Sequence, residues 1–279
     1  MTRIVVDSTL DLPDDQINEH GIVVVPLNVH FGDESFKDKV ELTTDEFFDR
    51  LSKADKLPTT SQPSPGEFIE AYKTIPAGEP IVSIHIAGQL SGTVDSARLA
   101  AKELSDREIH VIDSGNVTWA AGLLALVAAE AIRDGKSAAD VEKVVDEAKP
   151  RARLVAILDT LKYAIMGGRV SRVQGAIGGL LRVKPLLTCQ EGEVGRLPPA
   201  RTWGQAYDKV VEDVKEHGGA ERMAVVHTVA PDAMAELKSR LETEFGADGI
   251  LEGTLGAVVG TYAGPGAAGV GYIGKAAAK

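Results

Sequence analysis

Apolar and polar positions follow two rhythms along the chain. Short β-branched runs at Ile4–Asp7, Ile22–Val25, Ile81–Ala87 and Ile109–Asp113 are bounded by turn residues, which predicts buried strands. Between them, Thr44–Ser52, Glu67–Lys73, Thr93–Leu104, Asn116–Arg133 and Ala138–Ala148 repeat their apolar positions every three or four residues. That is the spacing of helices laid against a sheet. Strands that alternate with helices in this way predict a parallel sheet.

Past Pro150 the texture changes. Leu154–Leu158 resumes a strand, and Lys184–Gln190 and Val194–Arg201 flank Glu191-Gly192 as the arms of a hairpin. Helix, strand, helix and strand then run to Gly274, which predicts a mixed or antiparallel sheet with helices on one face. The expected fold class is α/β in two domains, residues 1–152 and 153–279. A chain of 279 residues is long enough for two cores.

Composition narrows the function classes. With 44% hydrophobic and 25% charged residues the chain is globular, neither disordered nor membrane-embedded. A net charge of −11 opposes general nucleic-acid binding. The longest apolar stretch, Trp119 to Ala129, stops at Glu130, short of the roughly 18 residues a membrane span needs. The start, MTRIVVDSTLDLP, has an acidic residue and turn signals where a signal peptide is apolar, so a cytoplasmic location is expected. Cys189 is the single cysteine, and the six histidines form no i,i+3 or i,i+4 pair. No disulfide and no metal site are therefore expected.

Charge is unevenly spread. Residues 151–203 hold nine basic and three acidic side chains inside an acidic protein. Such a segment is either an anion or partner site or a locally paired surface.

Four loops carry candidate chemistry. In IVSIHIAGQLSGTVDSARLAAKEL a buried strand passes through Ser91-Gly92-Thr93 into a helix, and amides and hydroxyls at a helix start suit an anion. The spacing Gly88-x-x-Ser91-Gly92 is not that of a hydrolase elbow, and Ser91 or Thr93 could equally serve as a helix cap. In TTSQPSPGE, Ser64 followed by Pro65 predicts an N-cap, which leaves the hydroxyls of Thr60 and Ser61 in need of partners. Asp7-Ser8-Thr9 and Asp113-Ser114-Gly115-Asn116 follow two of the strands, where open α/β sheets place ligands. Four such loops are expected to line one crevice. No dinucleotide or phosphate-loop fingerprint accompanies them.

Further on, Gly167-Gly168 ends a helix and is followed by Arg169, a residue suited to pairing an anion. Val173, Ala176, Ile177, Leu180 and Leu181 then form an apolar stripe gapped by Gly175, Gly178 and Gly179, either core or the wall of a chain-binding pocket. His85 and His227 fall in strands and are expected to be hydrogen-bonded sheet residues.

The blocks DSTLDLP, TTSQPS, GQLSGTVDSA, VIDSGNVTWAAGLL, LDTLKYAIMGGRVS, KPLLTCQEGEV and GTYAGPGAAGVGY occur in the order and spacing of the DegV family, which the chain resembles over nearly its whole length. That family is similar to the fatty-acid-binding subunit of bacterial fatty acid kinase. The resemblance implies two α/β domains with a long-chain fatty acid between them and no other cofactor. It also implies a separate ATP-binding kinase subunit as partner. By the same resemblance, carboxylate contacts fall on Thr60 and Ser91, within the clusters that include Ser61, Gly92 and Thr93. Arg169 and Arg201 match basic positions near the carboxylate and the partner surface, and Arg172 is assigned with Arg201 to transfer. Tyr262 stands where close relatives often have His. Two rival readings remain: a Ser hydrolase or small-molecule phosphotransferase centred on Ser91, and a lipid sensor without a kinase partner.

Overall fold

The computed structural model describes residues 1–170, 183–246 and 249–276. Arg172 and the stripe Val173–Leu181 lie outside the described residues.

A four-stranded sheet forms from β1 (Arg3–Asp7), β2 (Val23–Val25), β6 (Ile81–His85) and β7 (Ile109–Asp113) in the order β2-β1-β6-β7. Every pairing in it is parallel, as the four buried runs predicted. All five residues of β6 are buried, because helices cover both faces. On one face lie α3 (Pro65–Lys73) and α4 (Thr93–Glu103), with Phe68, Tyr72, Ala97 and Ala100 packed on Val5 and Ile81. On the other lie α5 (Thr118–Arg133) and α6 (Ala138–Ala148), packed on Ile4, Val6, Val82 and Ile84. Helix α1 (Asp14–His20) ends at Gly21 and leads into β2. Ser64 caps α3 as predicted: its hydroxyl accepts from the Glu67 amide at 3.3 Å, and the Glu67 carboxylate accepts from the Ser64 amide at 2.8 Å.

Between β2 and α3 the chain builds a small antiparallel sheet from β3 (Asn28–Phe31), β4 (Glu34–Lys37) and β5 (Thr59–Ser61), in the order β4-β3-β5. Helix α2 (Thr44–Lys53) connects its last two strands and buries Phe47, Phe48 and Leu51.

The second large sheet has six strands: β8 (Ala152–Ile157), β9 (Lys184–Gln190), β10 (Glu193–Ala200), β11 (Ala220–His227), β12 (Ile250–Thr254) and β13 (Ala268–Gly274). Their order is β10-β9-β8-β13-β11-β12, antiparallel throughout except for the parallel pair β11 and β12. The predicted hairpin is present, with Gln190 opposite Glu193 across Glu191-Gly192. Helices α7 (Lys162–Met166), α8 (Trp203–Glu216), α9 (Pro231–Phe245) and α10 (Ala257–Ala263) complete the chain.

Helices cover this sheet on two faces rather than on the one face expected. Val155, Ile157, Val225, Val270 and Tyr272 pack on α8 and α9. The alternate residues Ala152, Ala224, Val226 and Ile273 join the cluster built around α5, as side chains of successive strand residues must. Helix α5 is therefore shared by the two large sheets. Gly271 of β13 permits the close approach, since a Cβ there would lie 2.6 Å from the Ala120 amide nitrogen. The cover comes from the first half of the chain, so local spacing in the second half carried no sign of it.

Candidate functional site

Where the two large sheets meet α7 and α10, they leave a partly open, almost wholly apolar cavity. The loop after β6 contributes Ile86 and Leu90, and the start of α5 contributes Val117 and Thr118. From the second half come Leu154 and Ala156 of β8, Leu187 and Cys189 of β9, and Val258, Val259, Tyr262 and Ala263 of α10. Strand alternation aims Leu154 and Ala156 into the cavity while Arg153 points to the far side, where Asp213 accepts from its Nε and Nη2 at 2.9 and 2.7 Å. Burial pushes the Cys189 thiol up to about 12, so it packs as an apolar wall rather than as a nucleophile.

Arg169 is the one charged residue among the described lining residues. Its guanidinium lies 5.0 Å from the centre of the Tyr262 ring, a cation–π contact. It also donates to the Gly167 carbonyl at 2.9 Å. Gly167 is required here, because a Cβ would sit 2.3 Å from the Tyr262 ring. The Tyr262 hydroxyl lies 2.6 Å from Thr60 Oγ1. Residues 202 positions apart in sequence thus meet at the polar edge of the cavity.

The predicted site residues separate into three groups. Thr60, Tyr262 and Arg169 come together as just described. Ser91, Gly92 and Thr93 follow the lining residue Leu90, and the Gln62 carboxamide lies against Gly92. This contact joins the two hydroxyl segments. Ser91 Oγ lies 2.8 Å from Thr93 Oγ1 and accepts from the Thr93 amide at 3.3 Å, but the N-cap position of the helix is Gly92, so neither Ser91 nor Thr93 is its cap. Ser61 is parted from Thr60. The segment expected to be a loop is strand β5, whose successive side chains point to opposite faces, and Ser61 lies 2.9 Å from His30 Nε2 on the other face. Arg201 is exposed beyond β10, outside the cavity lining, and its amide donates to Gln205 Oε1 at 3.0 Å.

Two of the four loops expected in the crevice are consumed internally. Asp7, Ser8 and Thr9 are buried, and Asp7 Oδ1 accepts from the Thr9 amide while Oδ2 accepts from Ile86 at 2.9 Å. The Asp113 carboxylate accepts from Gly88 and Gly115, and Ser114 and Asn116 are buried. His85 is the satisfied sheet histidine expected of it, 2.7 Å from Ser83 Oγ and 3.1 Å from Asp7 Oδ2. The Ser83–His85–Asp7 series has the connectivity of a catalytic triad, yet Ser83 and His85 are fully buried. Ser91 in turn faces a hydroxyl, not an imidazole. Much of the basic segment is paired, Arg151 with Glu221 at 2.8 Å and Lys184 with Asp159.

Apart from Tyr262, the lining residues of β8, β9, β13 and α10 were not singled out from the sequence. Their signal was the period-two pair Leu187 and Cys189 and the helical set Val258, Val259, Tyr262 and Ala263, which any core would also show. Among the described residues no group of three or more His, Cys, Asp or Glu could hold a metal. No described helix is long and apolar enough to cross a membrane.

The fold and site define an α/β protein built around an apolar cavity with a hydroxyl-bearing polar edge. The model of the family described as "Uncharacterised protein, DegV family" matches residues 1–275, and the chain belongs to the DegV family. It is 36% identical over 271 residues to a DegV domain-containing protein of Caldanaerobacter subterraneus subsp. tengcongensis, covering 96% of each chain. Identity to a DegV domain-containing protein of Deinococcus radiodurans is 37% over 273 residues, again with 96% of each covered. Among solved structures, a fatty-acid-binding DegV family protein from Thermus thermophilus matches with a TM-score of 0.90 at 32% identity, covering 98% of this chain and 99% of its own. DegV of Bacillus subtilis, described as a fatty acid binding protein, matches with a TM-score of 0.88 at 31% identity over 98% and 99% of the two chains. A stearic-acid-binding protein from Eubacterium ventriosum matches with a TM-score of 0.88 at 28% identity over 99% of each. The expected family and the α/β class with one parallel and one mixed sheet are borne out.

Proposed function

We propose that this chain binds a long-chain fatty acid, with the hydrocarbon in the cavity and the carboxylate at its polar edge. The observation that carries the reading is the apolar cavity with a single charged residue, Arg169, among its described lining. Full burial of the fourteen methylenes of a sixteen-carbon acid is worth up to about 11 kcal/mol before ordering costs. The hydroxyls of Thr60 and Ser91 are paired with other hydroxyls, those of Tyr262 and Thr93. A carboxylate offers these protons a stronger, charged acceptor. Gly92, with the Gln62 carboxamide against it, joins the two hydroxyl segments, Thr93 backs Ser91, Arg169 supplies charge, and Tyr262 donates a hydrogen bond without an imidazolium charge. The fatty-acid-binding neighbours from T. thermophilus and B. subtilis support the reading.

The chain on this reading catalyses nothing alone. A separate kinase subunit supplies ATP and transfers its terminal phosphoryl group to the presented carboxylate, giving an acyl phosphate. Exposed Arg201, and Arg172 with it, serve that partner; the position of Arg201 outside the cavity lining supports this division. A sensor would bind the acid identically and yield no acyl phosphate with any kinase subunit.

The test is to denature the purified protein, extract it and identify the released organic acid by mass spectrometry, then titrate the stripped protein with palmitate and oleate. A sixteen- or eighteen-carbon acid is expected. Recovery of no lipid together with no binding of either acid would overturn the reading.

A further inference from the structure

Helix α10 supplies one wall of the cavity and carries Tyr262, and its first turn is held by side chains far away in sequence. Asp11 Oδ1 accepts from the Gly256 amide at 2.9 Å, and Asp38 Oδ1 accepts from the Ala257 amide at 3.3 Å. Both aspartates are buried, at 4% and 1% exposure. Lys39 Nζ lies 3.2 Å from Asp11 Oδ1 and is the cation of the cluster. Two carboxylates thus face one ammonium, which leaves one negative charge in excess.

The hydrogen-bond inventory is also short. Asp11 Oδ2, Asp38 Oδ2 and Thr118 Oγ1 are buried without a partner. Such atoms in a folded protein call for an explanation. Three residues of the cluster also hold left-handed backbone conformations, Asp11 at φ 56°, Lys39 at φ 62° and Thr118 at φ 48°. None is glycine, so the surrounding structure over-determines each of them. Thr118 is at the same time a cavity-lining residue. One proton held by the carboxylate pair would cancel the excess charge and provide a donor to the oxygens that lack one.

We propose that Asp11 and Asp38 are positioning residues that share one titratable proton and, through their bonds to α10, make fatty-acid affinity depend on whether that proton is present. The proposal rests on the fatty-acid reading above. The charged groups facing Asp38 are Asp11, from the turn after β1, and Lys39. The turn also presents the Ser8 hydroxyl, α5 the Thr118 hydroxyl and α10 backbone amides, while α2 faces α10 with Phe47 and Phe48. Burial raises both carboxyls, Asp38 to about 6 with Asp11 adding to the rise and Lys39 opposing it. The protonated pair is therefore the one that favours the arrangement described, with Tyr262 on Thr60 and the wall in place. Ionisation strengthens the bonds from the Gly256 and Ala257 amides but leaves two buried like charges against one ammonium, and that uncompensated charge loosens the cluster that holds α10. Affinity should accordingly fall as pH rises through about 6, and by reciprocity bound fatty acid should raise the titration midpoint of the pair.

The experiment titrates full-length stripped parent and Asp38→Asn with palmitate between pH 5 and 8. Asparagine keeps an acceptor for the Ala257 amide and removes the charge. Because the ligand carboxyl titrates identically with both proteins, the ratio of their affinities is the readout. The two are expected to match at pH 5, with the parent about three- to tenfold weaker by pH 8. A constant ratio with both proteins folded would overturn the proposal. If the variant does not fold, carbon-13 carboxyl shifts of aspartate in the parent decide: a midpoint near 6 that moves upward on adding palmitate supports it, and an unmoved midpoint overturns it. Absence of palmitate binding by the parent at every pH would instead be a failure of the fatty-acid reading itself.

Discussion

Two polar networks, assembled from the same residue types on neighbouring loops, have opposite characters. Behind β6 the phenol of Tyr72, Ser83, His85 and Asp7 form a continuous chain, with Tyr72 2.9 Å from Ser83 and each member at 0–1% exposure. With a neutral imidazole, Tyr72 donates to Ser83, Ser83 to His85 Nε2, and His85 Nδ1–H to Asp7, so every link is satisfied. Burial raises the Tyr72 phenol far above its ordinary range. At the cavity edge, Thr60 with Tyr262 and Ser91 with Thr93 form separate, half-buried pairs of hydroxyls. The first network is closed and holds β1 to β6. The second holds protons that a better acceptor can claim. Hydroxyls differ in role here by what they are bonded to and whether water reaches them.

The strongest way to break the comparison is to remove the centre of the closed network. Asp7→Ala leaves the amides of Thr9 and Ile86 and the His85 ring without their acceptor. A loss of about 3–5 kcal/mol in denaturant unfolding is expected, while the folded fraction keeps its palmitate affinity within about twofold.

Next in size is the pH dependence of stability at Asp38. Its folded value of about 6 lies above the ordinary aspartate value of 3.8, so the folded state binds the proton more tightly than the unfolded chain. Stability from this group is full below 3.8 and is lost as pH rises through about 6, a total of about 3 kcal/mol. Urea unfolding of the parent minus Asp38→Asn, from pH 4 to 7.5, should show that decline.

At the cavity edge the effects reverse. Thr60→Val or Ser91→Ala should weaken fatty-acid binding by about 1–3 kcal/mol, because a charged acceptor loses a donor. The unfolding midpoint should move by less than about 0.5 kcal/mol. If both variants bind palmitate as the parent does, the head group lies elsewhere and the two networks are alike.

The smallest effect on binding belongs to Arg201→Ala, which should leave palmitate affinity nearly unchanged and abolish acyl-phosphate formation with a cognate kinase subunit. Rising salt should partly imitate this in the parent. Equal losses in both assays would move Arg201 into the cavity, and no loss in either would make it ordinary surface.

Regular elements were legible wherever the reason for them was local. The β-branched runs became β1, β2, β6 and β7, Ser64 and Pro65 marked the start of α3, and Glu191-Gly192 marked the hairpin turn. Strand β5 was hidden because Thr59-Thr60-Ser61 is short and polar, and pairing to β3 is what extends it. The cavity was hidden for another reason. Its wall runs from Ile86 to Gly269, and each lining residue alone reads as core, since an empty volume belongs to the set and not to any member. Thr60 and Ser91 were legible as surplus hydroxyls, but the 2.6 Å contact to Tyr262 was not, being a product of tertiary folding.

The place of β13 has a consequence for how the protein is made. This strand, residues Ala268–Gly274, lies between β8 and β11 in the middle of the second sheet, and Ala268 and Gly269 at its start line the cavity. During synthesis the parallel sheet can close while the ribosome is still translating, since its four strands are complete by Asp113. Helix α5 then waits with one face bare. The second sheet stays in two pieces, β8 to β10 and β11 with β12, until residues 268–274 emerge to join them. Pairing over such sequence distances is slow, and because Ala268 and Gly269 line the cavity, a nascent chain that ends before them lacks part of its wall.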